Sequence, residues 1–246
     1  MGIDVYLRRN APETVASSAI PPQTQIQTPP PAPTIQAAPK PSEPPPPSEP
    51  IIQAADAVAS LEWIPLEQRV AACTQCAELC AHRTQTVFGV GNRRADLMVV
   101  GEAPGRDEDR QGEPFVGRAG QLLDRMLLAM GLPRERVYIA NVLKCRPPNN
   151  RDPKPAEADA CRPFLERQIA LTQPKVLLSV GRISAQNLLR TEQAVGRLRS
   201  RVHTLEPMGL PLIVTYHPAY LLRQPSEKRK AWEDLQRVMA LLDPVS

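Results

Sequence analysis

Four short apolar runs, DLMVVG (96–101), VYIANVL (137–143), KVLLSVG (175–181) and LPLIVTY (210–216), are each nearly continuous rather than alternating. A strand with one wet face alternates apolar and polar residues, so a continuous run calls for a strand covered on both faces. The stretches between the runs supply the cover. AGQLLDRMLLAMG places Leu122, Leu123, Met126, Leu127 and Met130 on one helical stripe, which Gly131 and Pro133 terminate. Residues 155–171 and 183–190 read as further helices, and SEKRKAWEDLQRVMALL reads as a closing helix with Trp232, Leu235, Met239 and Leu242 facing inward. The expected fold class is α/β, an open, mostly parallel four-stranded sheet flanked by helices.

This pattern begins only after a segment of different character. Fourteen of the 29 prolines lie in residues 1–50, in runs such as PSEPPPPSEP, among Gln, Ser, Thr and Ala with few large apolar residues. Such a composition buries too little surface to offset the entropy of ordering, so residues 1–60 are expected to form a disordered Pro-rich tail. Residues 61–246 are expected to form one folded domain, large enough for a sizeable core. The tail carries a net charge of −2, which leaves +6 on the folded part of a chain whose total is +4. That balance suits a polyanion partner without requiring one. No apolar run approaches the roughly 20 residues of a membrane span, and MGIDVYLRRN carries neither a signal-peptide core nor a myristoylation motif. A cytoplasmic, non-membrane monomer is expected, with its five cysteines reduced. IDVYLRR in the tail is a candidate docking motif for a protein partner.

In open parallel sheets ligands bind beyond the carboxyl ends of the strands. GEAPG follows the first run, Asn141 and Lys144 end the second, Gly181 follows the third and His217 follows the fourth. Residues more than a hundred positions apart are therefore expected to converge on one crevice. HPAYLLR (217–223) sets a polar tip beside two large apolar residues, an arrangement suited to a loop that handles an incoming ligand.

Cys73 and Cys76 form a C-x2-C pair, and Cys145 and Cys161 follow much later. The pair fixes two sulfurs on one turn, and two distant thiolates would complete an S4 site for zinc or an iron–sulfur cluster. Buried free thiols are the alternative, and Cys80 is read as a packed thiol of that kind.

Four blocks in order, CTQCAELC, GEAPGRDEDRQGEPFVGRAGQLLDRML, NVLKCRPPNNRDPKPAEADAC and HPAYLLR, together resemble the family 4 uracil-DNA glycosylases over roughly residues 70–242. The resemblance implies a DNA repair enzyme that flips uracil out of DNA and hydrolyses its N-glycosidic bond. It also implies a structural [4Fe-4S] cluster on Cys73, Cys76, Cys145 and Cys161, in place of zinc.

Uracil-containing DNA is the implied substrate, and the bond is reachable only after the base leaves the stack. His217 is expected to hydrogen-bond uracil O2 as charge develops on the leaving base. Glu102 is expected to position or activate the attacking water and favour the sugar cation. Asn141 offers an N–H and a carbonyl side by side to uracil O4 and N3–H, a pattern that cytosine inverts. Phe115 is expected to stack on the base, and Glu108 to sit beside uracil C5 and exclude the thymine methyl. Gly101, Pro104 and Gly105 let the backbone approach the ligand, and Ala103 is a further substrate-binding position of that turn. Tyr220, Leu221 and Leu222 are expected to project toward the DNA, one of them as a wedge, while Arg118, Arg146, Arg151 and Arg223 contact phosphates. Relatives that trap the sugar on a loop histidine carry Gln where this chain has Ala103. The loop RPPNNRDPKP has no histidine, so turnover is implied.

Overall fold

The computed structural model describes residues 57–243; residues 1–56 of the expected tail, the docking motif among them, lie outside the described residues, whereas 57–59 are helical and Val58 is buried, so ordered structure begins a few residues before the expected boundary. The sheet has six strands in the order β1-β3-β2-β4-β6-β5: β1 (Val90–Gly91), β2 (Leu97–Gly101), β3 (Tyr138–Asn141), β4 (Val176–Val180), β5 (Val202–Leu205) and β6 (Leu210–Thr215). The four expected runs are the four parallel inner strands. The two additional strands, β1 and β5, pair antiparallel at the edges. They carry no continuous apolar run, because an edge strand is covered on fewer sides: β1 has two residues, and Val202, in β5, is half exposed.

Successive side chains of the inner strands go to opposite faces, and both faces are dry. Met98, Val100, Tyr138, Ala140, Leu177, Leu212 and Val214 pack with Ala158, Leu165 and Ile169 of α5 (Pro155–Thr172), Ala185 of α6 (Arg182–Leu189) and Leu198 of α7 (Val195–Leu198). Leu97, Val99, Ile139, Leu178, Val180 and Ile213 pack with Leu123 and Leu127 of α4 (Arg118–Ala129) and Leu235 and Val238 of α9 (Lys228–Leu242). Trp232 departs from expectation. It is 38% exposed at the rim of the α9 stripe rather than facing inward.

A third, smaller cluster joins α1 (Trp63–Ala71) and α2 (Ala77–His82) to the sheet edge through Leu66, Val70, Leu79, Phe88, Leu143, Phe164 and the cysteines. Lys144 lies fully buried beside it and does not reach the crevice. Its Nζ donates to the Asn141 carbonyl (2.7 Å) and to Gln168 Oε1 (2.6 Å), and burial pushes its pKa down to about 8. Gln168 in turn donates to Phe88 O and Tyr138 Oη, so the carboxyl end of β3 is fixed from beneath. No helix among the described residues is long and apolar enough to cross a membrane.

The end of β6 is held from the other side. Asp234 of α9, completely buried, accepts from Thr215 Oγ1 (3.0 Å), from Arg199 Nε (3.0 Å) and Nη2 (3.1 Å), and from Arg237 Nη1 (3.0 Å). Removing one partner of a buried ion pair strands the other charge. Asp234→Ala is expected to cost about 3–5 kcal/mol of folding stability, measured as the shift of the denaturant midpoint at constant m-value. Asp159→Ala, which unpairs an exposed carboxylate from Arg162, is expected to cost under about 1 kcal/mol.

Candidate active site

The parallel register places the strand ends level, with Gly101 opposite Asn141 and Val180 opposite Thr215. A cleft of about 810 Å³ opens above them, and Glu102, Ala103, Glu108, Phe115, Asn141 and His217 all line it. The expected convergence of distant segments is therefore the geometry found. Gly101 does not itself line the cleft but is buried behind two residues that do: a Cβ there would stand 2.3 Å from Asn141 Oδ1 and 2.6 Å from the Phe115 ring, so only glycine leaves room for both.

Asn141 is 2% exposed, and its Oδ1 is a buried side-chain oxygen with no hydrogen-bond partner. A buried acceptor left unpaired costs on the order of 1–3 kcal/mol, a cost that a ligand N–H recovers. The Phe115 ring stacks on His217, centroids 5.7 Å apart and planes inclined by 30°. Phe115 holds a left-handed backbone at φ 55°, strained for a bulky residue. Two features enforce it. Arg134 donates to the carbonyls of Pro114 and Phe115 and to Asp124. Gly120 on the first turn of α4 has no Cβ, which would otherwise stand 1.8 Å from the Phe115 carbonyl oxygen. Neither Arg134 nor Gly120 stood out in the sequence; a glycine inside an amphipathic helix was the available clue.

His217 caps α8 (Pro218–Arg223), its Nδ1 accepting from the Ala219 amide at 3.1 Å. Nδ1 therefore carries no proton, and the neutral ring holds its proton on Nε2. Burial, assisted by nearby Arg223, lowers its pKa to about 4, so the ring is neutral at pH 7. Glu102 is shifted the other way. Burial and then the charge of Asp152 raise it to about 7, while Arg182, paired with Asp152 at 2.5 Å, acts in opposition. Backbone bonds from Val142 to Gly101 and from Leu143 to Glu102 tie the GEAPG turn to the end of β3.

Three expected roles do not fit the geometry. Glu108 lines the cleft, but its carboxylate accepts from the amides of Gly105, Val116 and Gly117 at 3.0–3.2 Å, so it staples the GEAPG turn and α3 (Arg106–Gln111) to the Phe115 loop. Leu221 is 1% exposed and points to α4 and α9, whereas Leu222 is 38% exposed. HPAYLLR is a helical turn, and neighbours on a helix point about 100° apart, so both leucines could not face outward. Arg151 is bound by both Glu157 oxygens and by Glu78, which leaves its guanidinium committed to carboxylates. Tyr220 and Arg223 line the cleft, and Arg118 is exposed beside it. The Arg146 Nε donates to Asn150 on the opposite lip.

Cys73, Cys76, Cys145 and Cys161 gather in the third core cluster. Among the described residues, no group of three or more His, Cys, Asp or Glu side chains converges as the ligands of one metal ion do. The sulfurs nonetheless meet donors of the kind thiolates need. Arg83 Nη1 donates to Cys145 Sγ at 2.9 Å, and the Lys144 amide donates to Cys161. Burial pushes Cys76 to about 11 and Cys161 to about 12. Cys80 donates to the Cys73 carbonyl.

The chain matches the Uracil DNA glycosylase superfamily over residues 88–236. It is 44% identical to the type-4 uracil-DNA glycosylase of Archaeoglobus fulgidus over 181 residues, 70% of this chain and 91% of that protein. It is 41% identical to the type-4 uracil-DNA glycosylase of Thermotoga maritima over 180 residues, 72% and 93% of the two chains. A type-5 enzyme from Thermus thermophilus is 28% identical over 184 residues, 61% and 84%. The chain belongs to the uracil-DNA glycosylase superfamily. The matched residues 88–236 include Glu102, Phe115, Asn141 and His217, so the family match and the cleft rest on the same residues.

A raised native pKa makes Glu102 bind its proton more tightly in the folded chain than in the unfolded one. Its contribution to stability is fully present below pH 4.5 and is lost as pH rises through about 7. Glu102→Gln escapes that loss. The variant is expected to match the native protein in thermal stability at pH 4, and to exceed it by a margin that opens between pH 4.5 and 7 and then stays constant.

Proposed function

We propose that this chain is a DNA repair glycosylase that takes uracil, flipped out of DNA, into the cleft lined by Glu102, Phe115, Asn141 and His217 and hydrolyses its N-glycosidic bond to leave an abasic site. The observation that carries this reading is the unpaired, buried Oδ1 of Asn141 in the cleft. That oxygen requires a donor. The N3–H of uracil supplies one, and the bare N3 of cytosine does not, so cytosine would leave the orphan unpaired.

The reaction breaks the bond between the base nitrogen and the sugar C1′. The base leaves with the bonding electrons as an anion, and the sugar becomes a cation that water then captures. A neutral imidazole with its proton on Nε2 donates to uracil O2, and the bond strengthens as negative charge grows there. A proton fixed at that atom by the Ala219 amide needs no rearrangement during the step. Glu102 as a carboxylate orients the water, accepts its proton and faces the developing cation. The Phe115 ring, which lines the cleft, offers the base a face to stack on. Arg118, Arg146 and Arg223 supply cations for the phosphates, Tyr220 and exposed Leu222 face the DNA, and Leu222 is the wedge left by the burial of Leu221.

We assign Cys73, Cys76, Cys145 and Cys161 to a [4Fe-4S] cluster. Cys73, Cys76, Cys145 and Cys161 share one small core and would hold such a cluster by their thiolates. The Arg83 guanidinium and the Lys144 amide offset the negative charge of such a site. The cluster would pin the α1–α2 segment to the loop after β3; the chemistry of bond cleavage is left to Glu102, Asn141 and His217.

Incubation of a uracil-containing oligonucleotide with the protein, followed by alkali, is expected to cut the strand at uracil only. An uncut strand would overturn the assignment. His217→Ala is expected to lower kcat by about 10²–10³-fold, the usual scale for loss of one oxyanion-type donor. The rate is expected to rise with pH through about 7 as Glu102 ionises, and to lack that rise in Glu102→Gln. For the cluster, purified protein is expected to contain four irons and the broad visible absorption of iron–sulfur charge transfer. Cys161→Ser should lose both, and iron-free wild type of full stability would contradict the assignment.

A further inference from the structure

The cleft is far larger than one pyrimidine, and its second half is built differently from the first. Beyond His217 it runs past Tyr216 and Tyr220 to Ala194, Val195 and Gly196, none of which takes part in the chemistry above. Tyr216 is the next residue of the chain before His217, yet it serves the other side of the strand end, where α7 begins. Its ring lies 5.0 Å from that of Tyr220, inclined by 37°. The Arg199 guanidinium stands over it at 5.6 Å from the ring centre.

This stack is held rigid from behind. Arg199 is 8% exposed and is locked by the two Asp234 oxygens and the Lys230 carbonyl, so the cation cannot swing away from the ring. The Glu227 carboxylate lies beside the Tyr216 hydroxyl, and Glu227 is itself paired with Lys230. Tyr216 and Tyr220 nonetheless line the cleft and remain partly exposed. The neighbouring wall is of small residues, Ala194 and Gly196; a Cβ on Gly196 would stand 3.9 Å from the Tyr216 hydroxyl, ordinary contact distance. A pair of tyrosines that served only to fill a core would be covered. This pair is fixed in orientation and partly open, with Arg223 on the same rim to meet a phosphate.

We propose that the Tyr216–Tyr220 wall is a second nucleobase subsite, which takes by stacking the base next to the flipped uracil on one side of the strand. The ligand class is a neutral aromatic base of any identity, because every base offers a π-face and the wall presents no hydrogen-bond code. Tyr216 acts there as a positioning residue: it holds the neighbouring nucleotide, and so sets where the uracil sugar sits relative to Glu102. This inference rests on the uracil-excision reading and adds a substrate requirement to it.

The test uses uracil oligonucleotides in which the nucleotide on one side or the other of the uracil is replaced by an abasic spacer. With the wild-type holoenzyme, a spacer on one side is expected to lower kcat/KM by about tenfold, within the 1–3 kcal/mol range of base–aromatic stacking, and a spacer on the other side by much less. Tyr216→Leu should show the same tenfold loss on the ordinary substrate and no further loss with the spacer. Tyr216→Phe, which keeps the ring, should retain the dependence on the flanking base. Two results would overturn the proposal: a wild type indifferent to spacers on both sides, a measurement that needs no variant to fold, or losses from variant and spacer that multiply. Absence of uracil excision from every substrate would instead remove the reading on which it rests.

Discussion

The pairing of Gly101 with Asn141, and of Val180 with Thr215, determines where everything else can be. Parallel strands in register end at the same level, so the residues that follow them meet without any contact designed to bring them together. Slipping β3 by one residue would turn Asn141 to the opposite face of the sheet. The register is secured because both faces are packed. Leu97 and Val99 fit one core and Met98 and Val100 the other, so a shifted pairing would exchange side chains between two close-packed cores shaped for different ones.

On that level platform the site concentrates features that cost stability. Phe115 holds a left-handed backbone, the Asn141 Oδ1 is buried unpaired, and burial disfavours both the ionised form of Glu102 and the charged form of His217. These penalties are tolerated where the surroundings over-determine the conformation. Arg134 clasps the Phe115 loop, Glu108 staples it to the GEAPG turn, Lys144 and Gln168 brace the end of β3, and Asp234 braces the end of β6. The two opposite pKa shifts suit the two tasks. A carboxyl poised near 7 delivers a base at working pH, and an imidazole held neutral donates one fixed proton without repelling the sugar cation.

Much of this was legible in the sequence, for a definite reason. A continuous apolar run reports two-sided burial, so the four inner strands, the helices between them and the gathering of Glu102, Asn141 and His217 at one rim could be read directly. What escaped was decided by direction and partnership. Leu221 and Leu222 look alike in HPAYLLR until the turn becomes a helix capped by His217 and started by Pro218, which sends one leucine inward. Arg151 and Glu108 read as a phosphate ligand and a methyl gate, and only the fold reveals that Glu157 and three backbone amides have already claimed them. Edge strands β1 and β5 lack the run that marks their inner neighbours. Arg134, Asp234 and Tyr216 act through residues far away in the chain, and no local pattern marks them.

All of the proposed chemistry depends on one carbonyl oxygen at the end of the second inner strand having no proton donor until the right base enters. Ligand-observed NMR with free uracil and free 3-methyluracil probes that oxygen directly, since the two bases differ only at the donor it requires. Saturable binding of uracil and none of 3-methyluracil is the predicted result, with the difference erased in Asn141→Ala. Equal binding of the two bases by the native protein would contradict the account.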